Sequence, residues 1–335
     1  MPRCLVTGAT GFIGPRLVQV LQAAGGEVRC LVRPTADTSR LEALGVELAS
    51  GDVTTPETLP AAIAGMDFVF HLAGKTFAAS YDEFAQVNEA GCANLAAACA
   101  AESNPPVLIV VSSLAAAGPS PAERALTERD TPEPISNYGR SKLAGELAAR
   151  EWAAEVPTTI VRPPVVFGPG DRAGLVLVRS LMKTGIHVVH RPGLPLSLVH
   201  ADDLAEALLL TARYGKRLDP TDPRATGVYY AADPTPSSYT EMGHMIGEAL
   251  GRHIRILKVR KWALSIGATF GELGGRVRGK PSPLNWDKMR EGTASGWVAS
   301  PAKLVSQTNF APGAPLPERY LQTIEWYRDE GWLDK

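Results

Sequence analysis

Cysteine is scarce, with four in 335 residues, at positions 4, 30, 92 and 99. No two form a CxxC pair, which argues against a thiolate metal centre, and no metal is expected. Cys4 and Cys30 lie in runs that read as buried strands, and Cys92 and Cys99 in one helical run. All four are expected to be small, reduced apolar fillers in a cytoplasmic protein. No sign of charge dominates: 34 basic residues face 35 acidic ones. Bulk electrostatics therefore give no case for a nucleic-acid or anionic-membrane partner. No apolar run reaches the roughly 18 residues a membrane helix needs. Only Met1, Pro2 and Arg3 precede the first strand-like run, so no secretory leader is expected. Internal repeats and low-complexity tracts are also missing.

Hydrophobic residues make up 45% of the chain, ample for a core. In the first half, short apolar runs alternate with helical stretches. Strands are expected at 4–6, 28–32, 46–49, 67–72, 107–111 and 158–161. Helices are expected near 12–24 and over 83–102 and 138–155. Near-continuous apolar strands in strand–helix alternation predict an α/β fold, a doubly wound parallel sheet covered on both faces. After residue 164, Pro and Gly become frequent and the pattern loosens. The division expected is a Rossmann dinucleotide-binding unit over 1–164 and a substrate-binding region over 165–335, some of which returns to the sheet. The Gly- and Pro-bearing stretch 271–283 reads as a mobile loop.

Thr7-Gly8-Ala9-Thr10-Gly11-Phe12-Ile13-Gly14 follows the first strand and opens a helix. Glycines in that spacing allow a tight turn, close approach of backbone to a pyrophosphate, and packing of helix on strand. The helix N-terminus adds N–H groups and partial positive charge. Cofactor choice is read at the end of the second strand, where an NAD site places an acid on the ribose 2′-hydroxyl. Here that position is Arg33, whose guanidinium suits a 2′-phosphate, so NADP(H) is favoured over NAD(H). Asp37 lies in the following loop. Asp52 and Val53 follow the third strand, beside the expected adenine position; Asp52 would accept from the adenine amino group or cap the next helix. Leu72, Ala73 and Gly74 end the fourth strand, where small residues let backbone pass the cofactor.

Tyr138 and Lys142 stand at i and i+4, on one face of a helix. An ammonium about 4 Å from a phenol, at an effective dielectric near 20, is worth on the order of 4 kcal/mol. That is roughly three pKa units, before desolvation works in opposition, and predicts a phenol poised at about 7. Ser112 and Ser113 follow the fifth strand, at the carboxyl edge where such sheets place ligands.

With these segments in hand, the chain resembles the extended short-chain dehydrogenase/reductase family, within the NAD-dependent epimerase/dehydratase superfamily. The likeness rests on TGATGFIG at 7–14, GDV at 51–53, FHLAG at 70–74, VN at 87–88 and VSS at 111–113. It continues with YGRSK at 138–142, RPPVVFGPGD at 162–171 and VHADDLA at 199–205. It implies that Ser113, Tyr138 and Lys142 form the catalytic centre. Ser113 would hydrogen-bond the substrate oxygen, Tyr138 exchange its proton, and Lys142 bind the nicotinamide ribose. Backbone around Pro163 and Val166 would meet the carboxamide, and Asn88 would stand near the ribose and an active-site water.

Within that family, dehydratases follow the catalytic hydroxyl with an Asp-Glu pair; here Leu114-Ala115-Ala116 follow Ser113. The likeness is nearest to the dihydroflavonol-reductase-like and 3β-hydroxysteroid-dehydrogenase-like branch, with Phe167 where the family carries Tyr. It implies an oxidoreductase interconverting a secondary alcohol and a ketone of a small lipid-like or aromatic molecule. The alternatives are a nucleotide-sugar epimerase with tightly held NAD and a non-catalytic NADP(H)-binding regulator. Arg172, His187, His190, Arg191 and His200 read either as substrate contacts or as structural partners. Trp262, Phe270 and Trp286 read as core in preference to pocket lining. Helices 83–102 and 138–155 match those that pair across a homodimer in relatives.

Overall fold

The computed structural model describes residues 1–222, 225–260, 262, 269 and 286–333. Its centre is a seven-stranded parallel sheet. The strands are β1 (Arg3–Thr7), β2 (Glu27–Val32), β3 (Glu47–Ser50), β4 (Phe68–His71), β5 (Val107–Val111), β6 (Thr158–Arg162) and β7 (Val228–Tyr230). Their order is β7-β6-β5-β4-β1-β2-β3. The direction of winding reverses between β1 and β4, which pair from Cys4↔Phe68 to Thr7↔His71. Sheets of this kind bind ligands in the crevice outside such a reversal.

The six strands expected from sequence are all present. The seventh comes from the C-terminal half: Val228–Tyr230 pairs with β6 from Val228↔Ile160 to Tyr230↔Arg162. Strand interiors are apolar on both faces because helices cover both. On one face α1 (Gly14–Ala23) and α5 (Ala201–Tyr214) pack Leu17, Leu21, Leu204 and Leu208 against Val6, Cys30 and Phe70. On the other, α2 (Gly91–Ala100) packs Leu95 and Cys99 against Leu5, Val69 and Leu108. All four cysteines are buried and unbridged, and burial pushes each thiol up to about 12.

Three helix boundaries differ from expectation. The first helix starts at Gly14, because residues 8–13 form the turn that precedes it. The stretch expected as one helix over 83–102 is Tyr81–Ala85, a π turn over Gln86–Ala90, and then α2. Such wide turns gather at functional sites, and this one carries Asn88. The helix expected over 138–155 is α3 (Asn137–Arg150), continued only by turns.

A second apolar cluster is built on α4 (Arg172–Thr184), α6 (Tyr239–Leu250) and α8 (Leu316–Asp329), around Leu181, Ile246 and Ile324. A short helix, α7 (Trp286–Gly292), follows the undescribed residues. The loop expected over 271–283 lies outside the described residues. Among the described residues no helix is long and apolar enough to cross a membrane.

Candidate active site

The turn after β1 is built around two glycines that no other residue could replace. Gly8 has φ +70°, and a Cβ there would lie 2.6 Å from the Ala73 nitrogen. The missing side chain thus lets the β1 and β4 exits touch. A Cβ on Gly14 would lie 2.2 Å from the Ala9 carbonyl oxygen. The Gly11 N–H closes the turn on the Gly8 carbonyl at 3.0 Å. Thr10 and Gly11 are exposed and Phe12 and Ile13 half-buried. Helix α1 begins without a side-chain cap, so its first N–H groups suit an anion. Thr7 ties the two strand ends together: its Oγ1 lies 2.9 Å from His71 Nδ1 and accepts the Ala73 N–H at 3.2 Å. The residues present fit the pyrophosphate of a dinucleotide.

Toward β2 and β3, Arg33 is exposed immediately after β2 ends. The Asp37 carboxylate is turned to Ser39, accepting its hydroxyl at 2.7 Å and its N–H at 3.1 Å. These bonds hold Asp37 below the usual carboxylate range. Asp52 Oδ1 accepts the N–H and hydroxyl of Thr54 at 2.9 and 2.8 Å, so the carboxylate shapes the turn after β3. The Val53 side chain is buried with Leu59 and Ile63. Arg40, which the sequence reading passed over, lies 5.6 Å above the Trp326 ring. A Cβ on Gly170 would meet both its guanidinium and the Phe12 ring.

The strand ends bring Ser113, Tyr138 and Lys142 together. Ser113 caps the short helix Leu114–Ala117, its Oγ accepting the Ala115 N–H at 3.1 Å. The Ser113 hydroxyl is close enough to the Tyr138 phenol to favour its ionised form. One turn along α3, Lys142 Nζ donates to the carbonyl of Val111, the last residue of β5, at 2.8 Å. A Cβ on Gly74 would be 3.6 Å from that ammonium. Asn88 is buried, donating to Ser141 Oγ at 2.9 Å and accepting the Lys75 N–H at 2.7 Å. It therefore joins the loop after β4 to the helix carrying Tyr138. Pro163 is buried and its carbonyl accepts the Leu114 N–H at 2.8 Å, while Val166 is half-buried.

The expected phenol poised near 7 is not what the protein groups produce. Tyr138 is pushed up to about 12, by burial first, with the Ser113 hydroxyl in opposition and the Glu291 carboxylate adding to the rise. Desolvation of the buried phenol is the dominant cause. Lys142 itself is lowered, chiefly by burial.

The five candidate substrate contacts have structural partners. Buried His200 caps α5, its Nδ1 accepting the Asp202 N–H at 3.3 Å. Buried His187 lies 2.9 Å from the Tyr239 carbonyl, and His190 3.1 Å from that of Val259. Arg191 donates to the Ala294 carbonyl at 3.4 Å, and Arg172 lies 5.6 Å above the Trp332 ring. Trp262 and Trp286 are not core: they are 63% and 39% exposed. Phe270 lies outside the described residues. Phe167 is buried and stacks on Tyr320 of α8 at 4.1 Å, within the second apolar cluster.

Other side chains around Tyr138 went unread. Asp287 accepts the N–H groups of Asn137 and Tyr138, and Lys288 lies 5.2 Å above the phenol ring. Their partner is 150 residues away in the chain, so no local pattern announces them.

Residues 4–222 match the profile of the NAD dependent epimerase/dehydratase family. A ceramide reductase of Caulobacter vibrioides is 31% identical, the alignment covering 98% of this chain and 96% of that protein. A 2-alkyl-3-oxoalkanoate reductase of Shewanella oneidensis is 30% identical over 72% of this chain and 64% of its own length. Among solved structures, that of gox2253 superposes with a TM-score of 0.80 at 26% identity, over 100% of both chains.

Proposed function

The chain belongs to the NAD-dependent epimerase/dehydratase family and is an NAD(P)-dependent oxidoreductase of the extended short-chain dehydrogenase/reductase type, and from that premise we propose that it reduces a ketone carried on an aliphatic, lipid-like molecule to a secondary alcohol. The observation that carries the reading is the meeting of Ser113 and Tyr138 at the carboxyl edge of the sheet, with Lys142 one turn along and held to the last carbonyl of β5. The names of the two reductase relatives, one for ceramide and one for 2-alkyl-3-oxoalkanoates, favour an aliphatic substrate.

In this reading the glycine turn over 8–14 and the N-terminus of α1 hold the pyrophosphate of the cofactor. Arg33 meets a ribose 2′-phosphate, so the cofactor is NADP(H). Asp52 and the Val53 backbone border the adenine. Leu72, Ala73, Gly74 and Asn88 line the ribose side, and Pro163 and Val166 the carboxamide. The bound cofactor supplies the hydride that reaches the carbonyl carbon.

The protein's own part is proton handling and orientation. Ser113 donates a hydrogen bond to the substrate oxygen and fixes it against Tyr138. The phenol holds its proton at neutral pH, because burial raises it to about 12, and gives that proton to the oxygen as the alcohol forms. Lys142 is held in line by the Val111 carbonyl, where it would bind the nicotinamide ribose of the cofactor. Residues 165–335 supply the wall over the substrate, and two chains pair through the helices that contain Asn88 and Lys142.

Tyr138→Phe tests the assignment. It removes the proton without removing the ring, so NADPH should still bind while turnover of a 2-alkyl-3-oxoacyl ester falls by at least about a hundredfold. Unchanged turnover would overturn the assignment. NAD that stays with the protein through gel filtration would favour an epimerase instead.

A further inference from the structure

Helix α7 lays charged side chains across the start of the helix that carries Tyr138. Asp287 Oδ1 accepts the Asn137 N–H at 2.8 Å, and its Oδ2 accepts the Tyr138 N–H at 3.2 Å. Ser136, the residue before the helix, accepts the Gly139 N–H on its Oγ at 2.9 Å. The same hydroxyl donates to Glu291 Oε1 at 2.6 Å. A helix leaves four N–H groups without intrahelical partners at its start. Three of them, on Asn137, Tyr138 and Gly139, are answered here by Asp287 or by the serine that Glu291 orients. Lys288 pairs with Glu291 at 2.8 Å and brings its ammonium to the Tyr138 ring. The Trp297 indole donates to the Glu291 carbonyl at 2.8 Å and anchors the end of α7.

We propose that Asp287 is a positioning residue for the proton donor: a carboxylate supplied from the C-terminal segment grips the backbone of Tyr138 and fixes where its hydroxyl meets the substrate. This rests on the reading of Tyr138 as the proton donor. An ordinary cap is a neighbouring residue and holds the helix start alone. A carboxylate bound to two successive N–H groups, the second on the tyrosine itself, holds the reactive residue against α7. The negative charge also sits at the positive end of the helix dipole, where it is favoured. Small displacements of a reacting group are costly, with about 1 Å sufficient for a hundredfold loss in rate.

The test compares Asp287→Ala, Asp287→Asn and Tyr138→Phe in the full-length enzyme, with NADPH and ethyl 2-methylacetoacetate as the probe ketone. Asp287→Ala should lower kcat about tenfold and change KM for NADPH less than twofold. Asp287→Asn keeps an acceptor oxygen and should recover kcat to within about threefold of the parent. Independently of any substrate, amide hydrogen exchange at 137 and 138 should accelerate in Asp287→Ala. Unchanged exchange there overturns the proposal, as does a parental kcat in Asp287→Ala when Tyr138→Phe is inactive. A loss shared between kcat, NADPH affinity and melting temperature would overturn it in favour of a structural role. If Tyr138→Phe itself turns over normally, the reading of the centre fails, whatever Asp287 does.

Discussion

The Glu146 carboxylate receives two arms of the Arg162 guanidinium, at 2.8 Å from Nε and 2.6 Å from Nη2, with both side chains almost fully buried. The same carboxylate accepts the Ser112 hydroxyl at 2.5 Å. Glu146 lies one turn beyond Lys142 on α3, Arg162 ends β6, and Ser112 precedes Ser113. One carboxylate therefore fixes the helix that carries Tyr138 and Lys142 to the ends of β5 and β6. Removing one member of such a buried pair strands the other charge, at about 3–5 kcal/mol. Glu146→Ala should lose stability of that order in urea unfolding. Glu146→Gln retains acceptor and volume and should lose less. Equal, small losses in both would mean that water reaches Arg162.

Two buried histidines should shape the acid limit of stability. His71 and His200 are each lowered to about 3, by burial first, with Lys142 disfavouring the charged form of His71 and Arg319 that of His200. An unfolded chain returns both rings to about 6.5. Between these values the unfolded state binds more protons, so stability rises with pH across the window and falls on acidification from about 6.5 toward 3. Unfolding free energies measured at several pH values should show this slope in the parent and a shallower one in His71→Gln/His200→Gln. Equal slopes would mean that the rings take up protons in the native state.

The glycine turn and the Tyr-Lys spacing were legible because each is local: residues a few positions apart meet through one turn of strand or helix. Six strands were legible because buried parallel strands are continuous apolar runs. The seventh, Val228–Tyr230, is only three residues long and sits in a Pro- and Gly-rich stretch, so its apolar run carries no period. Spacing puts an ammonium one helical turn from Tyr138, but it could not tell that burial would dominate the phenol. Nor could it tell that Lys142 Nζ would rest on the Val111 carbonyl. His187 and His200 looked available in sequence because their partners, the Tyr239 carbonyl and the start of α5, follow from tertiary packing. The Asp287 grip joins positions 150 residues apart and leaves no trace in either segment alone.

Cofactor preference turns on the edge beyond β2. Arg33 is exposed, so changing it should cost the fold little. A guanidinium attracts a 2′-phosphate, and a carboxylate in its place repels it; one unit charge about 4 Å away is worth ~1 kcal/mol in water and ~4 kcal/mol at an effective dielectric of 20. Arg33→Asp should therefore reduce kcat/KM for NADPH by about ten- to a hundredfold while NADH changes little. Asp37→Asn provides the contrast: its carboxylate is already occupied by Ser39, so the NADPH-to-NADH ratio should hold within about twofold. The ratio of kcat/KM values for the two cofactors, measured on one probe ketone, decides the matter. If Arg33→Asp leaves that ratio unchanged, the guanidinium does not face the phosphate, and the preference must be set elsewhere on this edge, with Arg40 the next side chain to replace.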